Sequence, residues 1–356
     1  WRKDGIAIEG GTGASFTVTQ ASAANAGQYS VVVSNAYGTV TSQSVSVLVN
    51  EPPSIQIPPS SLTVVQGGTA NFSVSASGTG PLTYVWKRDQ TIVVSGSLGV
   101  LTIPNVQPAN AGLYRVEVSS PYGSVVSGSA MLSVVTLPTL VQQPVGMSVL
   151  SGGTIQLAVE AAGTGPLAYQ WRKDGIAIEG GTGASFTVTQ ASAANAGQYS
   201  VVVSNAYGTV TSQSVSVLVN EPPSIQIPPS SLTVVQGGTA NFSVSASGTG
   251  PLTYVWKRDQ TIVVSGSLGV LTIPNVQPAN AGLYRVEVSS PYGSVVSGSA
   301  MLSVVTLPTL VQQPVGMSVL SGGTIQLAVE AAGTGPLAYQ WRKDGTAIEG
   351  GTGSSI

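Results

Sequence analysis

The chain restates itself. Residues 171–340 repeat residues 1–170 letter for letter. Inside that unit lies a weaker repeat of half the length, visible in five tryptophans, Trp1, Trp86, Trp171, Trp256 and Trp341, each 85 residues from the next. A fixed period of this kind marks one folding unit used again and again, stacked so that each copy meets only its neighbours. The architecture is therefore an array of modules of about 85 residues in two alternating types.

Residues 51–136 show what one module is. The run Thr69-Ala-Asn-Phe-Ser-Val-Ser-Ala76 puts Phe72 and Val74 on one face and Asn71 and Ser73 on the other, the period-two alternation of a half-buried strand. Gly78-Thr-Gly-Pro81 turns the chain into a strand ending at Trp86. Val100–Ile103 and Asn110–Val118 read as further strands, and the Ser120-Pro-Tyr-Gly123 turn leads to a last strand ending near Val135. No window of ten or more residues has a helical period, so the prediction is all-β with almost no helix. Boundaries fall at Asn50-Glu-Pro-Pro53, Thr136-Leu-Pro138, Asn220-Glu-Pro-Pro223 and Thr306-Leu-Pro308. They give modules at 51–136, 137–220 and 221–306, with partial modules at 1–50 and 307–356. Junctions this short, stiffened by proline, predict an elongated, semi-rigid rod.

Composition narrows the chemistry. Only 7% of residues are charged, against about 25% in an average protein, while 42% are hydrophobic, too many for a disordered tract. Twelve Lys and Arg stand against fourteen Asp and Glu, singly or in pairs, so there is no basic field for nucleic acid. No run of 18 apolar residues crosses a bilayer, and a leader or anchor would lie outside these residues. The chain has no cysteine and no histidine, which removes disulfides, the commonest general base and the commonest metal ligand. Glu179-Gly-Gly-Thr-Gly183 lacks the Lys-Ser/Thr of a phosphate loop, and no acids are paired for glycoside chemistry. Neither an enzyme nor a cofactor or metal site is expected.

These spacings resemble the immunoglobulin fold, specifically the cysteine-free, I-set-like modules of long secreted or surface bacterial proteins. The carriers are Gly68-x-x-x-Phe72-x-Val74, the tryptophan Trp86, the run Asn110-Ala-Gly-x-Tyr114-x-Val116 and the turn Asn205-Ala-Tyr-Gly208. The resemblance covers every module and implies tandem β-sandwiches with Trp86 and Trp171 in the core on the family's strand C. It also makes Tyr114 and Tyr199 the tyrosine corner, whose hydroxyl bonds back to nearby backbone. Asn110 and Asn195 stand where the family often has Asp. The two disulfide positions map to Val74 with Val116 and to Val159 with Val201, so both partners of each bridge are replaced together. By the same lettering, residues 1–50 would supply strands C to G, and residues 307–356 strands A to C with part of E. Residues 341–356 restate 1–16 apart from Ile6 to Thr346, Ala14 to Ser354 and Phe16 to Ile356. That overlap favours a window of a longer repetitive protein over ends that complete one another.

Candidate contact residues are few. Tyr122 and Tyr207 sit at loop tips where binding residues of this fold often lie, and a tip tyrosine could stack on a sugar; packing on a neighbouring module is the plainer role. Asn71-Phe-Ser73 matches a glycosylation sequon that chance also explains. Lys-Asp-Gly at Asp4 and Asp174 reads as a hairpin turn, and Lys87 and Lys173 read as solvent-facing. The expected function is structural: a bacterial extracellular filament, stalk or surface fibre of rigid modules that self-associates head to tail or laterally, since charge-poor strands lack the lysines that block edge pairing. The alternatives are a multivalent adhesin for a glycan or cell-surface ligand and spacer modules of a larger secreted enzyme.

Overall fold

The computed structural model describes residues 1–356. In the module at 51–136 the strands are β1 (Ser54–Ile57), β2 (Leu62–Val65), β3 (Ala70–Ser73), β4 (Ser75–Ser77) and β5 (Thr83–Arg88), then β6 (Thr91–Gly96), β7 (Val100–Ile103), β8 (Gly112–Ser120), β9 (Gly123–Val126) and β10 (Ala130–Val135). One layer pairs β1 with β4 and β3 with β7. The other runs β6-β5-β8-β10-β2, with β9 also on β8 and with β2 parallel to β10. The modules at 137–220 and 221–306 repeat this topology. Helix is confined to four three-residue 3₁₀ turns such as Pro108–Asn110.

The core lies between the layers. Trp86, Phe72, Tyr114, Val116, Val118 and Leu132 are all at most 1% exposed, because each occupies the inward phase of an alternating strand. Trp86 lies opposite Val116 across β5 and β8. The expected single strand through Phe72 and Val74 is broken: β3 ends at Ser73 and pairs with β7, while β4 starts at Ser75 and pairs with β1. Val74 is the crossing point. Its N–H donates to the Gly99 carbonyl (2.8 Å), and its side chain is half-buried against the core. Val159, its counterpart, is buried beside Val201 and Trp171.

The two module types fill one core in two ways. Phe72 faces Leu101 across β3 and β7, whereas Leu157 faces Phe186 at the same place in the sister module. The large ring has changed strands and the summed volume is kept. Either ring meets the same partners: Phe72 lies 6.1 Å from Trp86 and 4.9 Å from Tyr114, and Phe186 lies 6.1 Å from Trp171 and 6.0 Å from Tyr199. A second difference follows β5. The sister module has only the short strand Ile176–Ala177, and its Gly-rich loop brings the Gly183 carbonyl to the Trp171 indole N–H (2.9 Å). Where β6 replaces that loop, the indoles of Trp86 and Trp256 have no partner.

The exchange of rings sets up a test. Phe72→Leu with its copy Phe242→Leu removes volume and is expected to cost about 1 kcal/mol or more per module, and Leu101→Phe with Leu271→Phe to overpack at a cost of about 1–3 kcal/mol. Combined, the changes recreate the sister packing, so the losses should largely cancel, with a coupling above about 1 kcal/mol in denaturant titrations. Additive losses would show that the two cores are not interchangeable.

Candidate functional site at the module junctions

Three residues join one module to the next. Thr136-Leu137-Pro138 lie between β10 and the strand Thr139–Gln142, and Glu221-Pro222-Pro223 lie between Val215–Asn220 and Ser224–Ile227. Each linker is pinned to the module that follows. The Thr136 N–H donates to Thr164 Oγ1 (2.8 Å), and the Thr164 N–H donates back to the Thr136 carbonyl (3.2 Å). The same reciprocal pair recurs at Glu51 with Thr79, Glu221 with Thr249 and Thr306 with Thr334. Its threonine sits in the Gly-Thr-Gly-Pro turn, whose first glycine the linker itself requires. A Cβ on Gly78 would stand 2.9 Å from Pro53 Cα, and one on Gly163 3.0 Å from the Leu137 carbonyl, both at strongly positive φ.

The junction into residues 137–220 carries an extra fastening. Asn205 Nδ2 donates to the carbonyls of both Thr136 and Thr164 (2.9 Å each), while its Oδ1 accepts from the N–H groups of Tyr207 and Gly208. In the other module type Ser120 holds this place, and its hydroxyl accepts from the Tyr122 N–H only. The predicted tips therefore belong to the junctions. Tyr122 is 46% and Tyr207 41% exposed, but Tyr37, which has the same local sequence as Tyr207 and no linker packed beside it, is 96% exposed. A polar cleft of ≈ 400 Å³ opens between Gln66, Asn105 and Gln107 of one module, the linker residues Thr136 and Leu137, and Thr139 of the next. Its amides are already spent on each other, Gln66 on Gln107 (2.9 Å) and Gln107 on Asn105 (3.0 Å).

The remaining candidates are held within their own modules. Tyr114 Oη donates to the Asn110 carbonyl and Tyr199 Oη to the Asn195 carbonyl (2.8 Å each). The side chains of Asn110 and Asn195 accept from the N–H groups of Gln107 and Ser192, so the amide closes the 3₁₀ turn without a charge. All twelve cations lie on strands equivalent to β5 and β8, and six of them pair with acids. Lys87 pairs with Glu117 and Lys257 with Glu287 at 2.8 Å, and Lys173 meets Asp174 at 3.0 Å. No three Asp or Glu come together in a metal-holding group. Asn71 is exposed on the outward face of β3.

Asp174 and Gly175, at φ 51° and 82°, form the predicted hairpin turn. The Asp174 carboxylate reaches past it to accept the Gln198 N–H (2.8 Å). Glycine at 197 makes room, since a Cβ there would stand 2.8 Å from Asp174 Oδ2. That backbone N–H, helped by Lys173, holds the Asp174 carboxyl below its ordinary range, and Gln28 with Lys3 does the same for Asp4. Lys257 lowers Glu287 by hydrogen bond and charge. Burial pushes the Tyr114 and Tyr199 hydroxyls up.

Three segments, residues 52–120, 138–205 and 222–290, match the immunoglobulin domain family. The chain belongs to that family. Over 358 residues it is 26% identical to mouse Hemicentin-2, covering 96% of this chain and 7% of that one. Over 286 residues it is 27% identical to mouse Roundabout homolog 1, covering 73% and 18%. The chain thus spans under a fifth of the length of these curated relatives, which are animal proteins. Among solved structures it resembles an I-band fragment from titin with a TM-score of 0.61 at 23% identity, over 71% of this chain and 98% of that one. That likeness extends through three consecutive immunoglobulin domains in series. No helix is long and apolar enough to cross a membrane.

Two outcomes check this geometry. Stability from Asp174 is present above the unfolded carboxylate value of about 3.9 and is lost as pH falls through its lower folded value; stability from Tyr199 is present below about pH 10 and lost above it. Thermal melts of the chain across pH should therefore fall off at both extremes, with Asp174→Asn flattening the acid limb and Tyr199→Phe the alkaline one. At the junction, Asn205→Ala combined with Thr164→Val should broaden the small-angle scattering distance distribution while leaving the melting of the other modules in place. An unchanged distribution would mean that the clamp does not set the angle between modules.

Proposed function

We propose that this immunoglobulin array is a non-catalytic structural segment of an extracellular or cell-surface protein, one that sets reach and shape and associates with copies of itself. The observation that carries the reading is the clamp: every linker closes on the next module through the same reciprocal threonine pair, which suits a spacer of fixed geometry better than a flexible tether. Catalysis finds no support in a chain without histidine or cysteine. The near-absence of charge supports self-association. The placement on a bacterial surface, in I-set-like modules, is supported by the low lysine and charge content alone, and the relatives matched are animal proteins.

An adhesin reading would need free tips. The half-covered Tyr122 and Tyr207, held at the junctions, favour it less than the structural one. Electron microscopy of the chain at increasing concentration separates the two. Rods gathering into ordered filaments with a repeat of one or two modules are the expected result, and rods that stay isolated while retaining a glycan or protein ligand would replace the structural reading with the adhesin.

A further inference from the structure

β6 and its copy Thr261–Gly266 are edge strands. Each pairs on one side, with β5 or with Thr253–Arg258, and ends its sheet on the other. The outer side therefore presents a row of unpaired backbone N–H and C=O groups. Proteins usually blunt such edges with lysine, proline, a bulge or a very short strand. Here the strand is six residues long with a single bulge, Val93 standing between the Lys87–Ile92 and Trp86–Val94 pairs, and Gln90 to Ile103 contains neither a charged residue nor a proline. Every residue of β6 is exposed, Ile92 at 61%, and the copy matches with Ile262 at 62%.

The open edge continues around the flank of the sandwich. Ser97-Leu98-Gly99 carries the chain from β6 to β7, which also pairs on one side only, with β3. Leu98 is 74% and Val100 52% exposed, so two sheet edges and an apolar ridge share one side of the module. The sister module lacks this flank. Its corresponding strand is the two residues Ile176–Ala177, followed by Glu179 and a glycine-rich loop. The flank thus occurs once in every 170 residues, twice in this chain. The cations all lie on strands equivalent to β5 and β8, none on these edge strands.

We infer that this flank joins two copies of the chain, β6 of one pairing antiparallel with β6 or Thr261–Gly266 of another, so that two sheets become one. The inference rests on the self-association proposed above and names the strand responsible. A second copy is the occupant the observations favour. Antiparallel pairing of the strand with its own duplicate about a two-fold axis sets the run Thr-Ile-Val-Val-Ser-Gly against itself reversed, so every cross-strand pair is uncharged and the residue on the axis meets its like without repulsion. Two identical edges on each chain add avidity to a contact that is small by itself.

The test uses the whole chain. Ile92 lies across from Lys87 within its sheet, so Ile92→Glu, made with Ile262→Glu, gains a cation inside its own module while setting a charge on the edge that would otherwise pair uncharged with a second copy. Sedimentation velocity over a concentration series should show the wild type associating and the double variant weakened about tenfold or more, with an unchanged melting profile showing that it folds. Ile176→Glu in the sister module should associate like the wild type. As a second readout in a chain with no cysteine, single cysteines placed in turn at Ile92, Val93 and Val94 should yield disulfide-linked dimers under mild oxidation at the residue nearest the two-fold axis, and Ile176→Cys should not. If the wild type associates and the glutamate variant associates equally, the edge is not the interface and self-association stands on other surfaces. If the wild type is monomeric at every concentration, the edge assignment and the self-association reading fall together.

Discussion

Each module depends on one tryptophan clasped between its two layers. Trp86 lies against Val116 in its own sheet and near Phe72 in the facing one, and Phe72 in turn stacks on Tyr114. In the family a disulfide crosses beside this tryptophan; here Val74 and Val116 stand in its place, and a missing bridge in a domain this small costs about 2–5 kcal/mol. Burial of large side chains offsets a loss of that order, since each contributes roughly 1.5–3 kcal/mol. The exchange of Phe and Leu between facing strands shows what is required: one ring's worth of volume against the tryptophan, from either strand.

Identical segments in different surroundings show that this packing, and not local sequence, sets the environment of each residue. Val217 is fully buried beneath Met147–Leu150, which pairs in parallel with its strand, whereas Val47, in the same sequence without that neighbour, is 38% exposed. Tyr207 and Tyr37 differ in the same way. The strand and the turn are specified locally, but the core exists only where the first two strands of a module meet its last. The module is therefore the unit of stability, and the linker clamp, which fastens the residue entering each unit to that unit's Gly-Thr-Gly-Pro turn, is part of that unit as much as of the joint.

Most of this architecture was legible in the sequence because it is written in periods. The tryptophan spacing gave the module, alternation gave the strands, and the Asn-Ala-Gly-x-Tyr run marked the tyrosine corner. What escaped was of two kinds. β6 was missed because its hairpin turn carries no turn signature: Asp174-Gly175 announces a turn, but Asp89-Gln90 forms one with glutamine at φ 98°, where glycine would be expected. The break at Val74 and the reach of Asn205 to Thr136 were missed for another reason. The first depends on which partner strand claims each half of an unbroken alternating run. The second joins residues 69 apart, with nothing near either to mark it.

Alternation gives the array two surfaces in place of one. Uniform repeats would place identical modules side by side, where exchange of strands between neighbours is a hazard of tandem folds; here equal cores are built with the ring on opposite strands, so a swapped strand would bring two large residues or two small ones face to face. The same alternation confines the open, uncharged flank to every second module and gives the intervening one the extra Asn205 fastening at its entry. Stiffness and stickiness are thus assigned to different module types. A rod whose modules all carried the open edge would present a continuous aggregating face, whereas one that carries it once per 170 residues can associate at spaced points and remain unpaired between them.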